Sequence, residues 1–349
     1  MSTAHIASLP TAELHLHIEG TLEPEMVFEL AERNSVALPF ESVEDLREAY
    51  QFTSLQSFLD LYYDCMAVLQ TRDDFRILGE RYLTRAYDQG VRHAEIFFDA
   101  QAHTARGVPA EDVLDGLLDA LNAGARRGIT GGLILSFLRD RPVEEALETL
   151  ESLAHRAGDL LGVGLDSAEV GYPPELFTPV FARAKELGLH SVAHAGEEGP
   201  AAYVWEALDL LGAERIDHGI RSLEDPELVE RLRRDRVPLT VCPLSNVKLA
   251  VIPSLAEHPI MDLLDQGIMV TVNSDDPAYF GGYLGDNMAG LVDAFPALEP
   301  ALERLARNSV DASFGSSARK AELHALIDKW VSNSPHRGDL AVDGGSLPS

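Results

Sequence analysis

The sequence predicts an α/β fold of the (β/α)8 barrel class, with extra helices after the first strand and at the C-terminus. Three observations carry this: eight short runs rich in Val, Ile, Leu and Phe, amphipathic helical stretches between consecutive runs, and no linker dividing the 349 residues. Strand–helix units in series give parallel strands joined by crossover helices, and eight of them close a barrel. An open doubly wound sheet is the runner-up. It would carry a Gly-rich phosphate loop after its first strand, where this chain instead reads HLHIEGTLEPE.

The expected strands are Glu13–Ile18, Val91–Phe98, Gly132–Leu138, Gly162–Ser167, His190–Ala195, Arg215–His218, Pro238–Cys242 and Met269–Ser274. The segment from Thr21 to Gly90 reads as three or four helices (EPEMVFELAER, SVEDLREAY, SLQSFLDLYYDCMAVLQ, RDDFRILGERYLTRAYDQ) placed over the barrel mouth. Later helices include VEEALETLESLAHRA, AAYVWEALDLLG and DPELVERLRRD, the last with an acidic first turn that suits the positive end of the helix dipole. Residues 1–331 are expected to form one barrel domain. The turn-forming run at 332–349, SNSPHRGDLAVDGGSLPS, is expected to be a flexible tail.

Asp and Glu number 57 against 28 Lys and Arg, a formal net charge of −29. Such a surface repels phosphate backbones and anionic headgroups, so neither nucleic acid nor membrane is an expected partner. A neutral small substrate is favoured over a nucleotide for the same reason. Cys65 and Cys242 lie in apolar stretches, as buried thiols of a reducing compartment would. The N-terminus lacks a basic run followed by an apolar one, and no stretch approaches the length of a membrane span. A soluble cytoplasmic protein is expected.

Barrel chemistry gathers at the carboxyl ends of strands. His15 and His17 are spaced i, i+2 on the first strand and project from one face. His194 ends the fifth strand, His218 the sixth, and Asp275 and Asp276 follow the eighth. Singly, each has a structural explanation, since strand-end histidines often only hydrogen-bond and Asp-Asp-Pro often caps a helix. Their recurrence at the ends of otherwise apolar strands does not, because burying unpaired imidazoles and carboxylates is costly. Three imidazoles and a carboxylate suit one divalent transition ion, most naturally Zn²⁺, held by His15, His17, His194 and Asp275. A second ion would need a bridge such as a carbamylated lysine at the fourth strand end. The chain has only four lysines, at 185, 248, 320 and 329, and none is near. One Zn²⁺ per chain is therefore expected, lowering the pKa of water so that it becomes a nucleophile. Glu197, three residues past His194, can exchange a proton with the substrate. His218 can hold or deprotonate the attacking water, and Asp276 can meet a substrate N–H or ring nitrogen. Glu198 reads as a bystander.

Through LPTAELHLHIEGTLEPE, HAGEEGP, IDHGIRSLEDPEL, VCPLSNVKL and VNSDDPAYFGGY, in that order, the chain resembles the adenosine/adenine deaminase family over roughly residues 8–330. The resemblance implies zinc ligation by His15, His17, His194 and Asp275, a proton from Glu197 to purine N1, orientation of the attacking water by His218, and a bond from Asp276 to N7. FTSLQSFLDLYY, EIFFDAQAHTARGV and VGLDSAEVGYPPELF look most like the branch acting on free adenine, so the implied reaction is adenine to hypoxanthine and ammonia, in purine salvage. Two departures from the nucleoside pattern agree. Glu19 stands where those enzymes carry a ribose-contacting aspartate, and its extra methylene would intrude into sugar space. DSAEVG stands where they carry a glycine whose backbone contacts N3. The alternatives are deamination of adenosine or an N6-substituted adenine, hydrolysis of a cyclic amide, and an inactive purine-binding protein. Zinc deaminases of the other fold are excluded, because their paired Cys-x-x-Cys ligands are absent.

Overall fold

Strand and helix alternate along the chain in the computed structural model, which describes residues 1–333. The strands are β1 (Thr11–Glu13), β2 (Val91–Phe98), β3 (Thr130–Leu138), β4 (Gly162–Asp166), β5 (His190–Ala195), β6 (Arg215–His218), β7 (Pro238–Val241) and β8 (Met269–Val272). They pair in parallel, in chain order, as one eight-stranded sheet. The sheet closes on itself between the first and last strands through a bridge from Leu16 to Asp275. There the His17 N–H donates to the Asp275 carbonyl at 3.0 Å and the Asp275 N–H to the His15 carbonyl at 3.1 Å. The (β/α)8 barrel expected from the sequence is the observed fold.

Most strand positions match the sequence reading to within two residues, but β1 does not. Regular pairing covers Thr11–Glu13, with a register irregularity between Thr11 and Ala12, rather than Glu13–Ile18. The Leu14 N–H is taken by the Asn273 side chain at 2.8 Å, and the chain beyond it makes isolated bridges, Leu16 to Asp275 past β8 and His17 to Phe97 on β2, instead of a continuous ladder. Alternation nevertheless persists, with Leu16 and Ile18 buried in the main apolar core and His15 and His17 on the opposite face, within the site.

Four helices, Pro24–Asn34, Val43–Glu48, Leu55–Met66 and Arg72–Asp88, follow β1. Ser42, Ser54 and Thr71 cap the last three by accepting a backbone N–H three residues on, which satisfies donors that a helix N-terminus leaves unpaired. Of the four, Leu55–Met66 covers the mouth, presenting Leu55, Phe58, Leu59, Tyr62 and Tyr63 to the central pocket. Arg72–Asp88 instead lies along the barrel wall against the helix Ala110–Ala125. The C-terminal helix Ser317–Asn333 runs two residues into the expected tail; the remainder of that tail lies outside the described residues. Among the described residues, no helix is long and apolar enough to cross a membrane. Cys65 and Cys242 are buried thiols, as expected.

The barrel interior is more polar than apolar strands with ligating tips would make it. Arg215, at the start of β6, pairs with Glu95 on β2 at 2.6 Å, and both are fully buried. Arg215 also donates to the Leu14 carbonyl at 3.1 Å, and Glu95 accepts the Phe314 N–H. Burial alone would raise the Glu95 carboxyl, but the Arg215 guanidinium and His93 together outweigh it and hold the group below the usual carboxylate range. A buried pair is tolerable when its remaining donors and acceptors are also met, and this one ties β1, β2, β6 and the C-terminal segment together.

Candidate active site

Three imidazoles and a carboxylate converge at the carboxyl ends of the strands. His15, His17, His194 and Asp275 are all buried, with potential ligand atoms within 4.8 Å of one another. Each imidazole turns Nδ1 outward to an acceptor. His15 faces the Thr240 carbonyl at 3.2 Å, His17 faces Asp166 Oδ2 at 3.4 Å, and His194 faces Asp217 Oδ2 at 3.6 Å. Acceptors on that side favour the tautomer with the proton on Nδ1 and a lone pair on Nε2. The lone pairs then face one another: Nε2 of His17 and of His194 are 3.2 Å apart, and Asp275 Oδ1 lies 3.4 Å from His15 Nε2 and 3.6 Å from His17 Nε2. His15 Nε2 is buried without a hydrogen-bond partner. Acceptors gathered this closely without a donor call for a cation, and three nitrogens with one oxygen form a transition-metal set. Burial drives His17 down to about 3 and His194 well below the usual range, keeping both rings in the neutral, ligating form. Two further sets, His218/Cys242/Asp275 and His17/Asp99/Asp166, each share a member with the first and so are not independent centres.

His218, Glu197 and Asp276 border the same pocket. His218 Nδ1 lies 3.3 Å from the Asn246 side-chain amide, and Nε2 is directed between Glu197 Oε2 at 3.5 Å and Asp275 Oδ2 at 3.6 Å. Burial, reinforced by the Asp275 charge, pushes the Glu197 carboxyl well above the usual range, and the same two causes raise Asp276. For Asp275 the neighbouring imidazoles, His15 foremost, outweigh burial and hold the carboxyl well below it. These opposed shifts make Asp275 an anion beside two carboxylic acids able to donate. The backbone is left-handed at His218 (φ 61°), Asp275 (φ 65°) and Ser167 (φ 69°), conformations uncommon outside glycine that cluster where function constrains the chain. Gly20 is required by close approach, because a Cβ there would lie 2.0 Å from Asp276 Oδ1.

The turn carrying Glu197 is held by a residue that the sequence reading did not single out. Glu169 accepts backbone N–H bonds from Gly196 (2.6 Å), Glu197 (3.1 Å), Glu198 (2.9 Å) and Gly199 (2.7 Å). Gly199 must be glycine for this, since a Cβ would fall 2.6 Å from the Glu169 carboxyl carbon. Arg139 pins the preceding strand end, donating to the His194 carbonyl at 2.7 Å.

Asp99 and Asp166 were also missed, although they stand just past the end of β2 and at the end of β4 and line the pocket. The strand-end rule that found the histidines applies to both. Of the two readings open for Glu19, a sugar-space carboxylate and a structural carboxylate bonding a nearby loop, the structure shows the second. Glu19 is fully buried and absent from the pocket lining, its Oε1 accepting from His103 Nε2 at 2.7 Å and from the Asp99 N–H at 3.1 Å. Instead of intruding into sugar space, it braces the loop that presents Asp99.

The family profile described as adenosine deaminase matches residues 10–330. A Streptomyces coelicolor protein named adenine deaminase is 60% identical over 307 residues, covering 88% of this chain and 90% of its own. The crystal structure of an adenine deaminase from Arthrobacter aurescens superposes with a TM-score of 0.91 at 54% identity, covering 93% of this chain and 99% of that one. An amidohydrolase from Burkholderia ambifaria, solved with bound zinc, superposes with a TM-score of 0.84 at 27% identity, covering 95% of both chains.

Proposed function

This chain belongs to the adenosine deaminase family, and from that premise we propose that it hydrolyses adenine to hypoxanthine and ammonia, with one zinc ion, in cytoplasmic purine salvage. The observation that carries the reading is the convergence of four buried acceptors, an uncharged buried glutamic acid and a neutral histidine on one pocket. The choice of adenine is supported by the relatives that bear that name.

In this reading, His15, His17, His194 and Asp275 hold the metal. Zinc there would supply a Lewis acid that lowers the pKa of water towards neutrality. His218, fixed by Asn246, holds the attacking water and takes up its proton. Glu197 gives a proton to purine N1 as oxygen adds to C6, which makes the ring a better electron sink. Asp276 donates to N7 and fixes the ring plane. The C6–N6 bond then breaks, and the amino group leaves as ammonia with a proton returned by the acid–base pair. Ammonia release from adenine and adenosine, assayed side by side, tests the assignment. Adenine turnover is expected, and turnover of adenosine without adenine would overturn it.

Glu169 acts in this scheme by positioning Glu197. Glu169→Ala is expected to lower kcat about 100-fold while changing KM little, because misplacing a reacting group by about 1 Å costs this much. Added to Glu197→Gln, it should cost almost nothing further, because the group it positions is already disabled. Steady-state kinetics of the single and double variants check this, and an undiminished additional loss would show that Glu169 acts elsewhere.

A further inference from the structure

The proposed reaction leaves one polar stretch of the pocket, next to His17, without a task. That wall comprises Tyr63, Asp99, Asp166 and Ser167. Asp166 faces the ring of His17 at 3.4 Å and orients that ligand. Tyr63 and Ser167 face each other, their oxygens 3.4 Å apart. Asp99 stands beside Asp166, and burial together with the Glu19 charge raises its carboxyl to about 7. It is 2% exposed, its Oδ1 is buried without a hydrogen-bond partner, and its backbone N–H is held by Glu19. A buried, unpartnered carboxylate oxygen lining a substrate pocket is costly unless a ligand supplies the donor.

Purine geometry names that donor. With C6 towards the metal set, N1 at Glu197 and N7 at Asp276, the edge left to face the remaining wall carries N3 and N9. N7 and N9 flank the same carbon, C8, so the acid neighbouring Asp276 along the wall meets N9. Asp99 is near enough to Asp276 for its charge to act on that carboxyl. In a free base N9 carries a hydrogen, whereas in a nucleoside it carries the sugar. We infer that Asp99 selects the free base, its carboxylate accepting the N9–H hydrogen bond that only an unsubstituted purine offers. The inference rests on the proposed deamination of adenine and adds the group that restricts it to the base.

The test compares adenine with 9-methyladenine, whose N9–H is blocked, in the zinc-loaded wild type and in Asp99→Ser and Asp99→Asn. The wild type is expected to favour adenine by about 100-fold or more in kcat/KM, the scale of discrimination by a hydrogen bond to a buried charge. Asp99→Ser should lose about that factor on adenine while leaving 9-methyladenine unchanged or improved, so that the ratio falls to within a few-fold of one. Asp99→Asn keeps the shape and one acceptor oxygen and should fall between them. The substrate ratio is insensitive to general damage, which lowers both rates together. Equal wild-type rates on the two substrates, or an equal loss on both in Asp99→Ser, would overturn the inference while leaving adenine deamination standing. A wild type active on adenosine but not adenine would remove both.

Discussion

Replacing Glu197 by glutamine is expected to lower kcat on adenine by about 10³- to 10⁴-fold, with metal content and fold retained. The substitution preserves shape, and the position is 5% exposed, so the amide fills the same space. What it removes is a transferable proton. The glutamic acid holds that proton because burial and the Asp275 charge both oppose its ionisation, while Glu169 fixes the backbone beneath it. An amide can still donate a hydrogen bond to N1, so KM should change only a few-fold and the loss should sit in kcat. That pattern marks an interaction made in the transition state and not in substrate binding. Turnover number, KM and zinc per chain are the measurements, and turnover within about tenfold of the wild type would assign the proton transfer to another group.

The side chains brought together here were legible in the sequence in proportion to how unusual they are for their positions. His15, His17, His194, His218 and Asp275 could be found because histidine and aspartate stand out at the tips of Val- and Leu-rich strands, and the barrel rule says where strand tips point. Asp99 and Asp166 obey the same rule, but among 57 acidic residues a single aspartate after FF or GL carries little contrast. Glu169 sits in a loop whose path is set by tertiary contacts, so nothing local marks a carboxylate that collects four backbone donors. The buried pair Glu95–Arg215 was hidden for another reason. Each residue alone reads as a reason against burial, and only their meeting across the barrel, 120 positions apart, makes burial tolerable. The shortened β1 has the same origin, since the bonds that displace it come from Asn273 and Asp275 at the far end of the chain.

Stripping the metal with a chelator is expected to abolish turnover, by at least about 10³-fold, and to lower the thermal unfolding midpoint as well. The first effect follows from losing the Lewis acid, whose contribution to such hydrolyses is several kcal/mol. The second follows from what remains. His15 Nε2 has no partner, the Nε2 atoms of His17 and His194 confront each other at 3.2 Å, and Asp275 sits among them as a buried anion. Without a cation the facing Nε2 atoms of His17 and His194 have no donor between them, in a region from which water is largely excluded. An ion bound at about 100 times its dissociation constant stabilises the folded state by about 2.7 kcal/mol, which for a chain of this size is on the order of 5 °C in midpoint. One equivalent of Zn²⁺ should restore both quantities together, because one four-ligand set serves both. Calcium or magnesium should restore neither, since hard cations prefer an all-oxygen shell to three imidazoles. Restoration that needs two ions per chain would contradict the mononuclear site, and full activity after chelation would dissolve the metal assignment. A fall in midpoint without loss of turnover would assign the ion a structural role, leaving Glu197 and His218 to act on water unaided.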